Sequence, residues 1–127
     1  MKRVQINLEF IFRASPTILY RFLTTPATLI RWFCDEVDIS KDGVFTFVWE
    51  GSEEVATLIE DIEDERLRFK WEDADDEDEY LEFRMSKSDI TSTTILEITD
   101  YCDEDEVKDT SSLWAAQMKQ LKQETGG

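Results

Sequence analysis

Ser15-Pro16-Thr17-Ile18-Leu19-Tyr20-Arg21-Phe22-Leu23-Thr24-Thr25-Pro26 carries two helix starts in quick succession. Ser15-Pro16 reads as an N-cap followed by proline at the first helical position, and Thr25-Pro26 repeats the signal. Two starts this close predict two short helices, over about 16–33, instead of one long one. Ile18, Leu19, Phe22 and Leu23 supply the first apolar face, and Leu29, Trp32 and Phe33 the second.

The segment before these helices is a strand. Val4, Ile6, Leu8, Phe10 and Phe12 alternate with polar residues from Arg3 to Arg13, and Ile11 is the one apolar residue on the polar face. A period of two marks a half-buried strand, about 3–13. After the helices come turns at Lys41-Asp42-Gly43, Glu50-Gly51-Ser52, Asp64-Glu65 and Ser88-Asp89. Between them lie five strand-like runs, over about 43–101. Phe45, Phe47 and Trp49 alternate with Val44, Thr46 and Val48. The run 54–62 has apolar residues on both sides. Leu67, Phe69 and Trp71 alternate with Arg66, Arg68 and Lys70, which predicts one buried face and one basic, wet face. Leu81, Phe83 and Met85 alternate with Glu82 and Arg84, and 93–101 is the last strand. Short turns favour a sequential antiparallel meander.

The chain closes with a helix expected over about 104–124. Asp103, Glu104, Asp105 and Glu106 place negative charge at its start, where the helix dipole favours it. Val107, Ser111, Trp114, Met118 and Leu121 form one stripe. At about 20 residues, such a helix is ~30 Å long and spans a whole sheet. The expectation is therefore an α+β domain, 1–127, with six antiparallel strands curved around a C-terminal helix and two short helices after the first strand.

Charge and composition exclude several functions. Thirty acids against fourteen bases leave a net charge of -16, which argues against nucleic acid, since phosphates need clustered Lys and Arg. It argues equally against anionic membrane surfaces. No apolar run approaches the ~20 residues of a membrane span, and the N-terminus lacks the apolar core of a signal peptide, so a cytoplasmic location is expected. The stretch 53–79 holds fourteen acids and three bases. It is expected to form a solvated negative face, with a cationic protein partner as the sharper alternative.

With no histidine in the chain, the commonest general base and the Ser-His and Cys-His pairs are missing. Cys34 and Cys102 are expected to be free thiols, and acids beside Cys34 argue against a reactive thiolate. Of Glu60 and Asp61, one is a candidate for facing inward as an acid or base, with a surface position as the commoner case. The run 73–79 lacks the glycine of a calcium loop. No metal and no cofactor are expected.

Three stretches resemble a known family. In Ile18 to Phe33, leucine, threonine-proline, leucine and tryptophan-phenylalanine stand in the expected order. From Gly43 to Trp71, a glycine precedes an aromatic strand and a later turn leads into Leu67-Arg68-Phe69-Lys70-Trp71. The third is Leu113-Trp114-Ala115-Ala116-Gln117-Met118-Lys119-Gln120-Leu121. Together they resemble the helix-grip fold of the START-like (SRPBCC) superfamily, which includes birch-pollen allergen-like proteins. Their wording is most similar to the branch related to activators of the heat-shock chaperone ATPase, with Leu113 where that branch usually has glycine.

The resemblance implies a pocket between the sheet and the last helix. Candidate lining residues are Phe45, Phe47, Trp49, Leu67, Phe69, Trp71, Leu81, Phe83 and Met85, closed by Trp114, Met118 and Leu121. The first functional expectation is binding of an apolar small molecule or lipid there. The alternatives are a non-enzymatic interaction module acting through its acidic face or as a homodimer, and, by superfamily analogy alone, a cyclase- or hydrolase-like enzyme. The same apolar residues also suit a packed core.

Overall fold

In the computed structural model, which describes residues 2–127, every paired strand is antiparallel. Strands β1 (Arg3–Phe12), β2 (Glu36–Ile39), β3 (Val44–Trp49), β4 (Ser52–Ile62), β5 (Arg66–Trp71), β6 (Leu81–Lys87) and β7 (Thr94–Asp103) form one sheet in the order β1-β7-β6-β5-β4-β3-β2. Helices α1 (Pro16–Thr24) and α2 (Pro26–Trp32) follow β1, and α3 (Val107–Thr125) ends the chain. The meander thus runs from β2 to β7, and β1 closes it by pairing with β7 over its whole length, from Arg3 opposite Asp103 to Phe12 opposite Thr94.

The local signals act as their chemistry requires. Ser15 Oγ accepts a hydrogen bond of 3.2 Å from the Ile18 N–H, and proline opens both short helices. In α1, Leu19 and Leu23 are buried, while Ile18 is 40% exposed and stands outside the expected apolar face. The last helix begins with a single 3-10 turn, Glu104–Glu106, and stops at Gly126, whose φ of +97° suits glycine. Of its stripe, Trp114, Met118 and Leu121 are buried, whereas Val107 is exposed.

The expectation of six strands is corrected to seven. The missed strand, β2, is only four residues long and pairs with β3 alone, Glu36 opposite Val48 to Ile39 opposite Phe45. Its Glu36 and Asp38 are exposed and its Val37 and Ile39 half-buried, so its apolar pattern is too short to stand out. Short, charged edge strands are a common guard against unwanted pairing.

A second correction concerns the outer face of β5. Arg66, Arg68 and Lys70 are half-buried, not wet. Arg68 donates to Glu82 Oε1 at 2.7 Å and its guanidinium lies 4.0 Å from the Tyr80 ring centre. Arg66 pairs with Glu60. Glu82 is buried in this ion-paired layer.

Register in β4 shifts between Leu58 and Glu60, leaving Ile59 as a bulge. A bulge adds a residue and bends the strand. Ala56 and Leu58 face the helices before it, and Asp61, opposite Leu67, faces them after it. There Asp61 Oδ1 accepts a 2.5 Å hydrogen bond from the Tyr20 hydroxyl on α1. Glu60 points outward to its arginines. Of the two acids, Asp61 is therefore the one on the helix side, but it is exposed and serves to pin α1. Burial and that hydrogen bond raise the Tyr20 pKa.

Candidate functional site

The helix-side face of the sheet is aromatic because strand parity puts Phe45, Phe47, Trp49, Phe69, Trp71 and Phe83 on one side. Phe45 meets Phe69 edge-on at 5.0 Å between ring centres, and Phe83 meets Trp114 of α3 at 5.7 Å. Leu67, Leu81, Met85, Met118 and Leu121 are all under 5% exposed. The interior between sheet and helices is nearly full. A hollow of about 10 Å³ remains, bordered by Phe47, Phe69, Trp71, Leu81 and Phe83 from the sheet and by Leu23, Leu29, Trp32 and Phe33 from the helical side. That is room for about one water.

Open space lies at one end of the sheet. A cleft of about 350 Å³ runs between the first turns of α3 and the ends of β3, β4, β5 and β7, lined by Phe33, Trp49, Glu54, Trp71, Asp100, Thr110, Leu113, Trp114 and Gln117. A second hollow of about 320 Å³ adjoins it at Glu54, Trp71 and Asp100 and extends beneath the acidic loop to Arg3, Tyr80 and Tyr101.

The expected lining residues therefore divide. Trp49, Trp71 and Trp114 border the open cleft. Phe47, Phe69, Leu81 and Phe83, with Trp71 again, border the small hollow. Phe45, Leu67, Met118 and Leu121 are buried core. Met85 is buried too and borders a separate surface hollow beside Arg66 and Arg84.

The cleft's aromatic walls are held in place by hydrogen bonds. Trp49 Nε1 donates to the Phe33 carbonyl at 2.5 Å. Trp32, which borders the small interior hollow and not the cleft, donates its Nε1–H to the Phe22 carbonyl at 3.0 Å. Phe33 meets Trp49 edge-on at 5.1 Å and stacks near Trp114 at 6.2 Å. Trp114 Nε1 donates to Asp100 Oδ2 at 2.9 Å.

Asp100 is a functional residue outside the set expected from the sequence. It follows Thr94, Leu96 and Ile98 on the inward phase of β7, which is the signal that marks it: the one charged residue on that phase. Its Oδ1 accepts from the Tyr101 N–H at 2.9 Å. Burial lifts its pKa above the usual aspartate value, against the pull of these two hydrogen bonds and of the Arg3 charge. Glu54, opposite Phe47 in the β3–β4 register, reaches the same cleft.

The acidic loop beside the cleft corrects the expectation of a solvated negative face, because part of it is buried. Glu79 is 9% exposed and accepts hydrogen bonds from Arg3 Nε at 2.9 Å and from Arg3 Nη2 at 2.6 Å. Arg3 also meets Asp75 at 3.1 Å and Asp103 at 3.2 Å. Asp103, Asp105 and Glu106 bring carboxylate oxygens within 4.8 Å of one another, but this group sits at a helix start, with Arg3 on Asp103. Cys34 and Cys102 are free and buried.

Comparison with known proteins agrees with this architecture. A family model for the START-like superfamily domain matches residues 1–127. The chain belongs to the START-like superfamily. A solved structure of BfR322 from Bacteroides fragilis is 34% identical, with 100% of this chain and 94% of that one covered and a TM-score of 0.69. The solution structure of the Aha1 dimer from Colwellia psychrerythraea is 17% identical, with 96% of each chain covered and a TM-score of 0.81. A conserved protein of unknown function from Enterococcus faecalis, EF2215, is 22% identical over 95% of this chain and 70% of that one, with a TM-score of 0.73. At the identities of the last two, the likeness is one of fold. No curated protein matches the chain. Among the described residues, no helix is long and apolar enough to cross a membrane.

Proposed function

We propose that this protein binds an apolar small molecule or a lipid tail in the cleft between the sheet and α3. The observation that supports this reading is the open space of about 350 Å³ walled by Phe33, Trp49, Trp71 and Trp114. Its size falls within the range of small-molecule sites, which are mostly apolar with a few placed polar groups. The ligand sits at the mouth, because the interior behind Phe33 and Trp71 retains only about 10 Å³. Deeper entry would require these rings to move. Selectivity comes from Asp100 and Glu54 at the cleft floor and rim.

The test is titration with the neutral fluorophore N-phenyl-1-naphthylamine, alongside native mass spectrometry of protein purified without detergent. Saturable one-to-one binding, weakened at least tenfold in a folded Trp71→Ala variant, is expected. A clean apo mass with no saturable probe binding would sink the proposal.

A second reading is favoured by the filled interior: an interaction module working through the acidic loop 72–80 or through self-association. Partner binding that fades with added salt and with neutralisation of Asp76, Glu77 and Asp78, in a protein that takes up no probe, is the outcome that would select it.

A further inference from the structure

The cleft combines two features that an apolar ligand alone does not use. Its walls are aromatic, from Phe33, Trp49, Trp71 and Trp114, and the charged side chains lining it, Glu54 and Asp100, are both acidic. Among the described residues, no lysine or arginine lines this space. Asp100 is held by neutral donors, the Trp114 indole and the Tyr101 N–H. Arg3, whose charge acts on Asp100, is engaged by Asp75, Glu79 and Asp103. A carboxylate half-buried among aromatic rings, with neutral donors on both oxygens and Arg3 acting on it only from the adjoining hollow, is a mismatch that a cationic ligand repairs. Aromatic faces attract cations through their quadrupole, most strongly when water is excluded.

We propose that the cleft selects an organic cation: a small molecule with an apolar body and an ammonium group, seated among the four rings with its charge between Glu54 and Asp100. This deepens the binding reading above and rests on it, naming the ligand's charge. The chain's net charge of -16 raises the local concentration of cations but does not discriminate among them. Discrimination comes from the cleft.

The experiment compares phenyltrimethylammonium with its neutral carbon isostere, tert-butylbenzene, by following the tryptophan indole N–H resonances in a titration. At 0.5 M salt, where long-range attraction is screened, the cation is expected to bind about tenfold more tightly than the isostere, which corresponds to about 1.4 kcal/mol. The preference is expected to fall to near parity in Asp100→Asn/Glu54→Gln, and to persist in Glu77→Gln/Asp78→Asn, whose changes lie in the loop and not in the cleft. Both variants are checked for folding by their amide spectra. Equal binding of the two probes, or tighter binding of the isostere, would overturn the cation inference and leave the apolar-ligand reading standing. Binding of neither would overturn both. A preference that survives Asp100→Asn/Glu54→Gln and disappears in the loop variant would assign it to the general negative field and likewise overturn the inference.

Discussion

Trp114 on α3 donates its indole N–H to Asp100 Oδ2 on β7 at 2.9 Å, so one hydrogen bond ties the closing helix to the sheet at the floor of the cleft. The ring of Trp114 packs against Phe83 on one side and near Phe33 on another. The same side chain therefore serves the core, the helix attachment and the cleft wall.

Replacing Trp114 by Phe keeps most of the packing and removes the donor. A hydrogen bond to a charged acceptor contributes about 1.5–3 kcal/mol, so Trp114→Phe is expected to destabilise the fold by about that amount. Urea unfolding measures it. In a double-mutant cycle, Asp100→Ala, which removes the acceptor, is expected to cost less in the Trp114→Phe background than in the wild type. Additive effects would show that the bond contributes nothing.

Asp100 also sets a pH dependence. Its pKa is raised in the folded protein, chiefly by burial. A carboxyl with a raised folded-state value favours folding while protonated, and that contribution is lost as pH rises from its ordinary value, 3.8, through the raised one. Trp114, the Tyr101 N–H and Arg3 moderate the rise, and Glu79 adds to it. The stability of the wild type relative to Asp100→Asn is thus expected to fall with increasing pH. Chemical denaturation of both proteins between pH 3.5 and pH 7 is the check, and a difference independent of pH contradicts it.

Arg3 holds the loop 72–80 against the end of β1. In Arg3→Ala, the buried Glu79 loses its hydrogen-bonded partner, at a cost of about 1–3 kcal/mol, reduced by the partial exposure of the arginine. Faster amide exchange at 73–79, with the strand amides of β3 and β4 unchanged, is the expected signature. Unchanged loop exchange would mean that the loop is held by its own contacts, such as that of Asp78 N–H with Asp76 Oδ1.

Cys34 is expected to resist alkylation in the native protein. Burial, then the adjacent Asp35, pushes its thiol up to about 11, so little thiolate exists at pH 8. Iodoacetamide labelling followed by peptide mass spectrometry should show Cys34 modified after unfolding and spared before it. Rapid native labelling at pH 8 would disagree with the buried placement.

Much of the scaffold is legible along the chain because its signals are local. Ser15-Pro16 and Thr25-Pro26 are readable as helix starts because capping and proline geometry depend on neighbours in sequence, although only Ser15 makes a side-chain cap bond and Thr25 relies on the proline after it. Period-two alternation in β1, β3, β5 and β6 likewise reports a half-buried strand directly. β2 escapes this reading because its four residues are too few for a pattern, and it is a strand through pairing with β3. The bulge at Ile59 is hidden for a related reason: a register shift is a property of two strands, and it alone decides that Asp61 and not Glu60 faces the helices.

For the site, the sequence determined which side chains are aromatic, which of them share a sheet face, and that acids far outnumber bases. The tertiary structure decided where space remains. Whether Phe47, Phe69 and Phe83 enclose a cavity or fill one depends on how α2 and α3 approach the sheet, a matter of packing to within an ångström that no periodicity encodes. It likewise decided that Asp100 meets Trp114, that Arg3 closes on Glu79, and that Trp49, Trp71 and Phe33 meet at one cleft, since these contacts join residues distant in sequence.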